Sequence, residues 1–219
     1  MLREWGMATP GQLVQAMADV LGIPAVTVSL YDRQLAEAGL RTRAGRGPSA
    51  ANVTPTDVAN LLIAILGSPV FGASIKAAAQ ICEEIGITIN SKQTTNLEAF
   101  GDVGLTSLAA LPKRHTFREA LAALVEGASR GERLNKVDPE KSDFGYLEIR
   151  VHRPHPFATI RVFGMAAARE RRHGLMYSVR RVEDDWDGER GRQIALGQER
   201  YIDYSTVEDI VSTAQMQMV

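Results

Sequence analysis

Four groups of residues in this chain have types and spacings that could do chemistry. His152 and His155 stand three apart across Arg153-Pro154, a spacing at which two imidazoles on a turn can share a metal ion. No cysteine and no nearby aspartate offers a third ligand, so no metal site is expected there. His115 and His173 have no recognisable partner in sequence. Residues 183–189 read E-D-D-W-D-G-E, which superficially suits calcium. The alternating ligand spacing and the closing glutamate are missing, and a long hairpin loop is the better account. Arg169, Arg171, Arg172 and His173 form a basic cluster. The stretch 164–192 around it holds seven arginines against six acids. Such a stretch usually pairs with itself on a solvated surface, and a second nucleic-acid contact is the other account. The fourth group is Arg41, Arg43 and Arg46, with Ser49, in R-T-R-A-G-R-G-P-S. Forked guanidiniums and a hydroxyl on a Gly- and Pro-rich loop suit phosphate oxygens, whereas the plain alternative is a solvated surface loop.

Enzyme chemistry has no positive support. The chain contains no phosphate-binding loop, no Gly-rich dinucleotide fingerprint and no nucleophile elbow. No catalytic residue, no metal and no cofactor is therefore expected.

Composition limits the partners. The 219 residues carry 25 basic and 26 acidic side chains, a net charge of -1, so any nucleic-acid contact must come from a local patch. Hydrophobic residues make up 45%, enough apolar surface to offset the entropy of ordering a folded core. The longest apolar run, residues 61–66, is far too short to span a bilayer, so no membrane partner is expected. The opening residues show no charged-then-apolar leader, and the single cysteine, Cys82, cannot form an internal disulfide. Both observations point to the cytoplasm. Cys82 itself reads as a small apolar helix residue.

The elements that must position these residues can be placed from capping and periodicity. Thr9-Pro10-Gly11-Gln12 opens a helix with a capping box, and Gly22 stops it. A second helix runs over residues 24–38, with Val28, Tyr31, Leu35 and Ala38 on one face. Thr54-Pro55-Thr56-Asp57 repeats the first start signal. The helix behind it, residues 58–66, is apolar on nearly every side and must lie in a core or a subunit interface. Further helices are expected at 69–85, 105–111 and, headed by the Thr116–Glu119 capping box, up to 129. Residues 86–104 read as polar and irregular, with one short strand at 87–89. After 144 the period changes to two. Leu147, Ile149 and Val151, then Ala158, Ile160 and Val162, describe a β-hairpin around Arg153-Pro154-His155-Pro156. Strands follow at 175–182 and 194–204, and Ser205 is the expected cap of a last short helix.

Residues 17–40 read M-A-D-V-L-G-I-P-A-V-T-V-S-L-Y-D-R-Q-L-A-E-A-G-L. This stretch resembles the helix-turn-helix core of prokaryotic and phage-type winged-helix DNA-binding proteins. In that pattern Ala18 lets two helices approach, Gly22 permits the tight turn, and Val28 anchors the second helix. The segment 41–49 stands where the family places its wing. Together with the periodicity of the rest, the resemblance implies an α+β chain: an N-terminal winged helix-turn-helix (1–52), a helical segment suited to oligomerisation (53–130), and an antiparallel β-rich part (144–219). It also implies that the second helix enters the major groove of duplex DNA. Val26, Thr27, Ser29, Leu30, Arg33 and Gln34 would then face outward. Thr27 and Ser29 suit phosphates or bases, Arg33 suits guanine and Gln34 adenine. Phosphate contacts would fall to Arg41, Arg43, Arg46 and Ser49. The second helix departs from the family in carrying Leu30 where a base is usual and Asp32 where an apolar residue is usual.

These features lead to three expectations for function. The first is a sequence-specific double-stranded DNA-binding protein of phage or prophage type that regulates transcription. It would act as a homo-oligomer through residues 58–66 or the C-terminal sheet. The second resembles the small terminase subunit of tailed phages, which marks DNA for packaging. The third is a structural or adaptor protein whose winged helix contacts another protein.

Overall fold

Capping chemistry decides where four of the described helices begin. In the computed structural model, which describes residues 8–42, 52–68, 78–90, 97–134, 145–153, 157–166, 169–178 and 198–214, Thr9 and Gln12 close a reciprocal capping box. It heads α1 (Pro10–Leu21), and Gly22 ends that helix at φ +64°. Thr54 with Asp57 heads α3 (Pro55–Gly67), and Thr116 with Glu119 heads α7 (Phe117–Ser129), in the same way. Between them lie α2 (Ala25–Glu37), α4 (Ala78–Gly86), α5 (Glu98–Asp102) and α6 (Thr106–Ala109). The last helix, α8 (Tyr204–Thr213), differs from its sequence-based start. Asp203, not Ser205, accepts from the Thr206 amide at 2.9 Å, because the strand before it delivers Asp203 to the first turn. The helix α5 falls in a stretch expected to be irregular; Phe100, 1% exposed, anchors it to the core.

Five antiparallel strands form one sheet in the order β1-β4-β3-β2-β5. They are β1 (Ile89–Asn90), β2 (Gly145–Arg153), β3 (Phe157–Ala166), β4 (Arg169–Ser178) and β5 (Gln198–Asp203). The alternation read from sequence sets the register. Ile202, Ile149, Ile160 and Leu175 stand side by side across four strands, and all four are buried. The basic cluster Arg169 to His173 lies within the sheet. It is the first half of β4, paired with β3 from Ala166 back to Val162. The chain is thus mixed α+β.

Helix α3 lies at the centre. Every residue from Asp57 to Gly67 is buried, with Val58, Ala59, Leu62, Ile63 and Ala64 at 0% exposure. It packs against α2, α4, α7 and strands β2 and β5. The expected use of residues 58–66 as a subunit interface is therefore corrected: the chain's own helices and sheet already cover that surface. Buried residues from all three expected domains, 1–52, 53–130 and 144–219, join one contiguous hydrophobic core. Among the described residues, no helix is long and apolar enough to cross a membrane.

Polar contacts, Arg200 and His115 among them, tie the sheet to the rest of the chain. Arg200 of β5 points inward beside Val151 and donates from Nη1 to the carbonyl of Ile65 at 2.9 Å, in the last turn of α3. A cation there satisfies an otherwise free carbonyl and opposes the negative end of the helix. His115, which has no partner in sequence, is 2% exposed and sits between two oxygens. Its Nδ1 lies 2.8 Å from the Pro112 carbonyl and its Nε2 2.9 Å from the Tyr177 hydroxyl. A carbonyl only accepts, so Nδ1 carries the proton and Nε2 accepts from Tyr177. Burial holds the His115 pKa below its usual value.

Two outcomes follow from this packing. A Cβ on Gly67 would stand 2.6 Å from Ile81 Cγ2 and 2.7 Å from Ile85 Cδ1, where α3 crosses α4. Gly67→Ala is expected to lose about 1–3 kcal/mol in urea denaturation, because overpacking outweighs the helix-propensity gain of at most about 1 kcal/mol. A neutral or stabilised variant would contradict the close crossing. The second outcome concerns pH. The folded His115 pKa lies below the unfolded one, so the unfolded chain takes up the proton first as pH falls. The stability contributed by neutral His115 is complete above the unfolded value of about 6.5 and is lost as pH drops below it. Between pH 7.5 and 5, the urea midpoint should fall more in the wild type than in His115→Gln.

Candidate nucleic-acid interface

The turn Gly22-Ile23-Pro24 joins α1 to α2 and sets which face of α2 is left uncovered. Val28, Tyr31 and Leu35 are buried at 0%, 5% and 0% exposure, and Ala18 of α1 is buried as well. The opposite face carries Val26 at 68% and Leu30 at 41% exposure, together with exposed Ser29 and Arg33. Thr27 and Gln34 lie at the flanks, half-buried. Of the outward set that the periodicity predicts, Val26, Ser29, Leu30 and Arg33 are exposed and Thr27 and Gln34 are not fully so, while Ala38, expected on the inner face, is exposed where the helix ends. Arg33 Nε lies 3.1 Å from Glu37 Oε1, and Gln34 Nε2 donates to Glu37 Oε2 at 3.4 Å. With 74% and 57% of the Arg33 and Glu37 side chains exposed, such a pair contributes little and opens readily.

The N-terminus of α2 differs from those of its neighbours. Thr9, Thr54, Thr116 and Asp203 each give a side-chain cap to α1, α3, α7 and α8. Pro24, at the head of α2, has no side-chain cap bond, and the first turn holds no acid. Its leading amides therefore keep their capacity to meet a negative group.

Arg41, expected as a phosphate donor, is engaged with Asp32 in the free chain. Its Nε lies 2.8 Å from Asp32 Oδ1, and the two side chains are only 19% and 12% exposed. The guanidinium is drawn inward because Asp32, four residues after Val28, falls on the buried stripe of α2 and is 8% exposed. A buried carboxylate needs a counter-charge, and Arg41 is the first cation after the helix ends. Arg43, Arg46 and Ser49, and the expected wing with them, lie outside the described residues.

A tether from α3 holds the chain that leaves α2. Asp57 Oδ1 accepts from the Thr42 amide at 2.7 Å, while Oδ2 accepts from the Thr54 amide and hydroxyl, each at 2.8 Å. One turn on, Asn60 Nδ2 donates to the Leu40 carbonyl at 2.6 Å, and the Cys82 thiol donates to Asn60 at 3.4 Å. Burial pushes that thiol up to about 11, in keeping with a structural cysteine. Sequence reasoning missed Asp57 and Asn60 as positioning residues. Their signal was two polar residues in the first turns of a helix otherwise apolar all round. Beside the tether opens a cleft of about 490 Å³, walled by Leu40, Arg41, Thr42, Asp57, Asn60 and Arg118.

His152 packs its ring 4.9 Å from that of Phe157, and His155 lies outside the described residues. Among the described residues, no group of three or more His, Cys, Asp or Glu is placed to hold a metal ion. In comparison with known proteins, the chain matches no family model, no curated protein and no solved structure.

The tether can be tested directly. Asp57→Ala removes the acceptor of three hydrogen bonds and the acidic half of a capping box. It is expected to cost about 2 kcal/mol in urea denaturation. A loss below about 0.5 kcal/mol, the scale of an ordinary surface change, would show that the tether carries no stability.

Proposed function

We propose that this chain is a cytoplasmic double-stranded DNA-binding protein that reads the major groove with α2, as a homo-oligomer of winged helix-turn-helix type. The observation that carries this reading is the division of α2 into a buried face (Val28, Tyr31, Leu35) and an outward row of Ser29, Leu30 and Arg33. That division leaves side chains suited to bases and phosphates on a helix gripped from behind. The uncapped α2 N-terminus supports it, since helix N-terminal amides are common phosphate donors. The acidic balance of α2 is also offset: Arg41 compensates Asp32 and Arg33 compensates Glu37. In this reading Arg43, Arg46 and Ser49 remain phosphate donors on the wing.

A phage-type transcriptional regulator is the preferred biological role, and a packaging subunit like the small terminase is the alternative. Dimers on two half-sites about one helical turn apart favour the regulator; large rings favour packaging. A third reading has its own observation. Val26 and Leu30 form an exposed apolar pair one turn apart, which suits a protein partner as well as a thymine methyl.

Fluorescence anisotropy on labelled duplexes from around the gene, against a scrambled duplex, tests the proposal. Fragment-selective binding that weakens with salt is expected. Arg33→Ala should weaken binding about ten- to a hundredfold and relax the preference at one base position. Equal, weak binding to both duplexes would favour the protein-docking reading instead.

A further inference from the structure

A buried ion pair inside a proposed DNA-reading unit raises the question of what it does when phosphates arrive. Asp32 and Arg41 are in contact, yet the Arg41 Nε–H is not aimed at the carboxylate oxygen: both atoms are buried without a hydrogen-bond partner. The fork is not used bidentately either. Nη1 turns away and donates to the Thr42 carbonyl at 3.3 Å. Charge rather than aligned hydrogen bonding therefore holds the pair, and such a contact is easier to exchange than a two-pronged one. Arg41 also forms one wall of the open cleft beside α3, so its guanidinium has room to leave.

We propose that Asp32 is a proton-linked latch on Arg41: in the free protein it holds the guanidinium away from DNA, and on duplex binding it releases it to a backbone phosphate. This rests on the reading of α2 as the DNA-contacting helix. When Arg41 leaves, the Asp32 carboxylate loses its counter-charge within a buried site and takes a proton from solvent to become a neutral acid. Burial already holds the Asp32 pKa above the usual aspartate value, Arg41 opposes that rise, and Asp57 of α3 adds to it. Removing Arg41 thus leaves only causes that favour the protonated form. Arg118 of α7, a cation on the far wall of the cleft, donates from Nη2 to the Cys82 carbonyl at 3.5 Å, and the charged groups on the other neighbours are exposed or engaged elsewhere. Asp19 of α1 accepts from Gln15, Glu84 of α4 from Gln80 and Arg153, and Glu83 of α4 is exposed; Arg200 of β5 is bound to Ile65. Duplex affinity therefore rises as pH falls, because protonating Asp32 frees one phosphate-binding cation.

The test compares wild type with Asp32→Asn in duplex binding across salt concentration and from pH 8 down to 5, toward the aspartate range. Asparagine keeps the shape and removes the charge. The variant should bind roughly three- to tenfold tighter at pH 8 with an unchanged salt slope, because Arg41 reaches the phosphate in both proteins and only the cost of opening the latch is removed. Its affinity should lack the rise toward low pH that the wild type shows. A wild-type affinity and pH profile in the variant would overturn the latch and leave the α2 reading standing. No duplex binding by the wild type under any condition would overturn both. Should Asp32→Asn fail to fold, Arg41→Gln serves. Its salt slope at pH 6 should be shallower than wild type by about one unit, and an unchanged slope there overturns the latch.

Discussion

A helix that is apolar on every side cannot rest on a protein surface, and α3 imposes that constraint on the whole chain. With eleven consecutive residues buried from Asp57 to Gly67, it needs partners in every direction. Helices α2, α4 and α7 and the inner face of the sheet supply them. An amphipathic helix needs one neighbour, whereas this one recruits both the N-terminal helices and the C-terminal strands into a single core. The close crossing at Gly67, where no side chain fits beside Ile81 and Ile85, belongs to the same demand.

The two ends of α3 act as attachment points, for an electrostatic reason. Its first turn would leave free amides; the Thr54 hydroxyl accepts from the amide of Asp57, whose carboxylate accepts from the Thr54 amide and, with its other oxygen, holds the Thr42 amide of the chain leaving α2. Its last turn would leave free carbonyls, and Arg200 reaches one of them from the edge strand β5. The proposed DNA-reading unit and the sheet are therefore linked through one helix. Each polar group that makes the link also removes an unsatisfied backbone group. Asn60 extends the logic one turn inward, where an amide side chain can serve the Leu40 carbonyl and the Cys82 thiol together.

Charge near α2 is arranged by burial rather than by number. Read along the sequence, the helix is acidic and Arg41 appears free. In three dimensions Asp32 lies on the buried stripe and draws Arg41 in, while Arg33 stays on the outer face beside Glu37. The outward row is then close to neutral, with exposed Val26 and Leu30 at its N-terminal end. Groove recognition by such a surface draws more on shape, hydrogen bonding and methyl contact than on counterion release.

What sequence alone determined was local. The capping boxes at Thr9, Thr54 and Thr116, the stop at Gly22, the outward row of α2 and the alternation that places Leu147, Ile149 and Val151 inward all depend on residues within a few positions of one another. Backbone geometry and side-chain period are enough to read them. Tertiary structure alone decided whether residues 58–66 met their own chain or another, since an all-apolar pattern is the same in both cases. It also decided that Arg169 to His173 enter a strand, because pairing with β3 outweighs a run of charge with weak strand preference. The partners of Asp32, Asp57, His115 and Arg200 belong to the same class: each group is buried or part-buried beside residues up to 135 positions away, and only packing brings the compensating charge or hydrogen bond within reach.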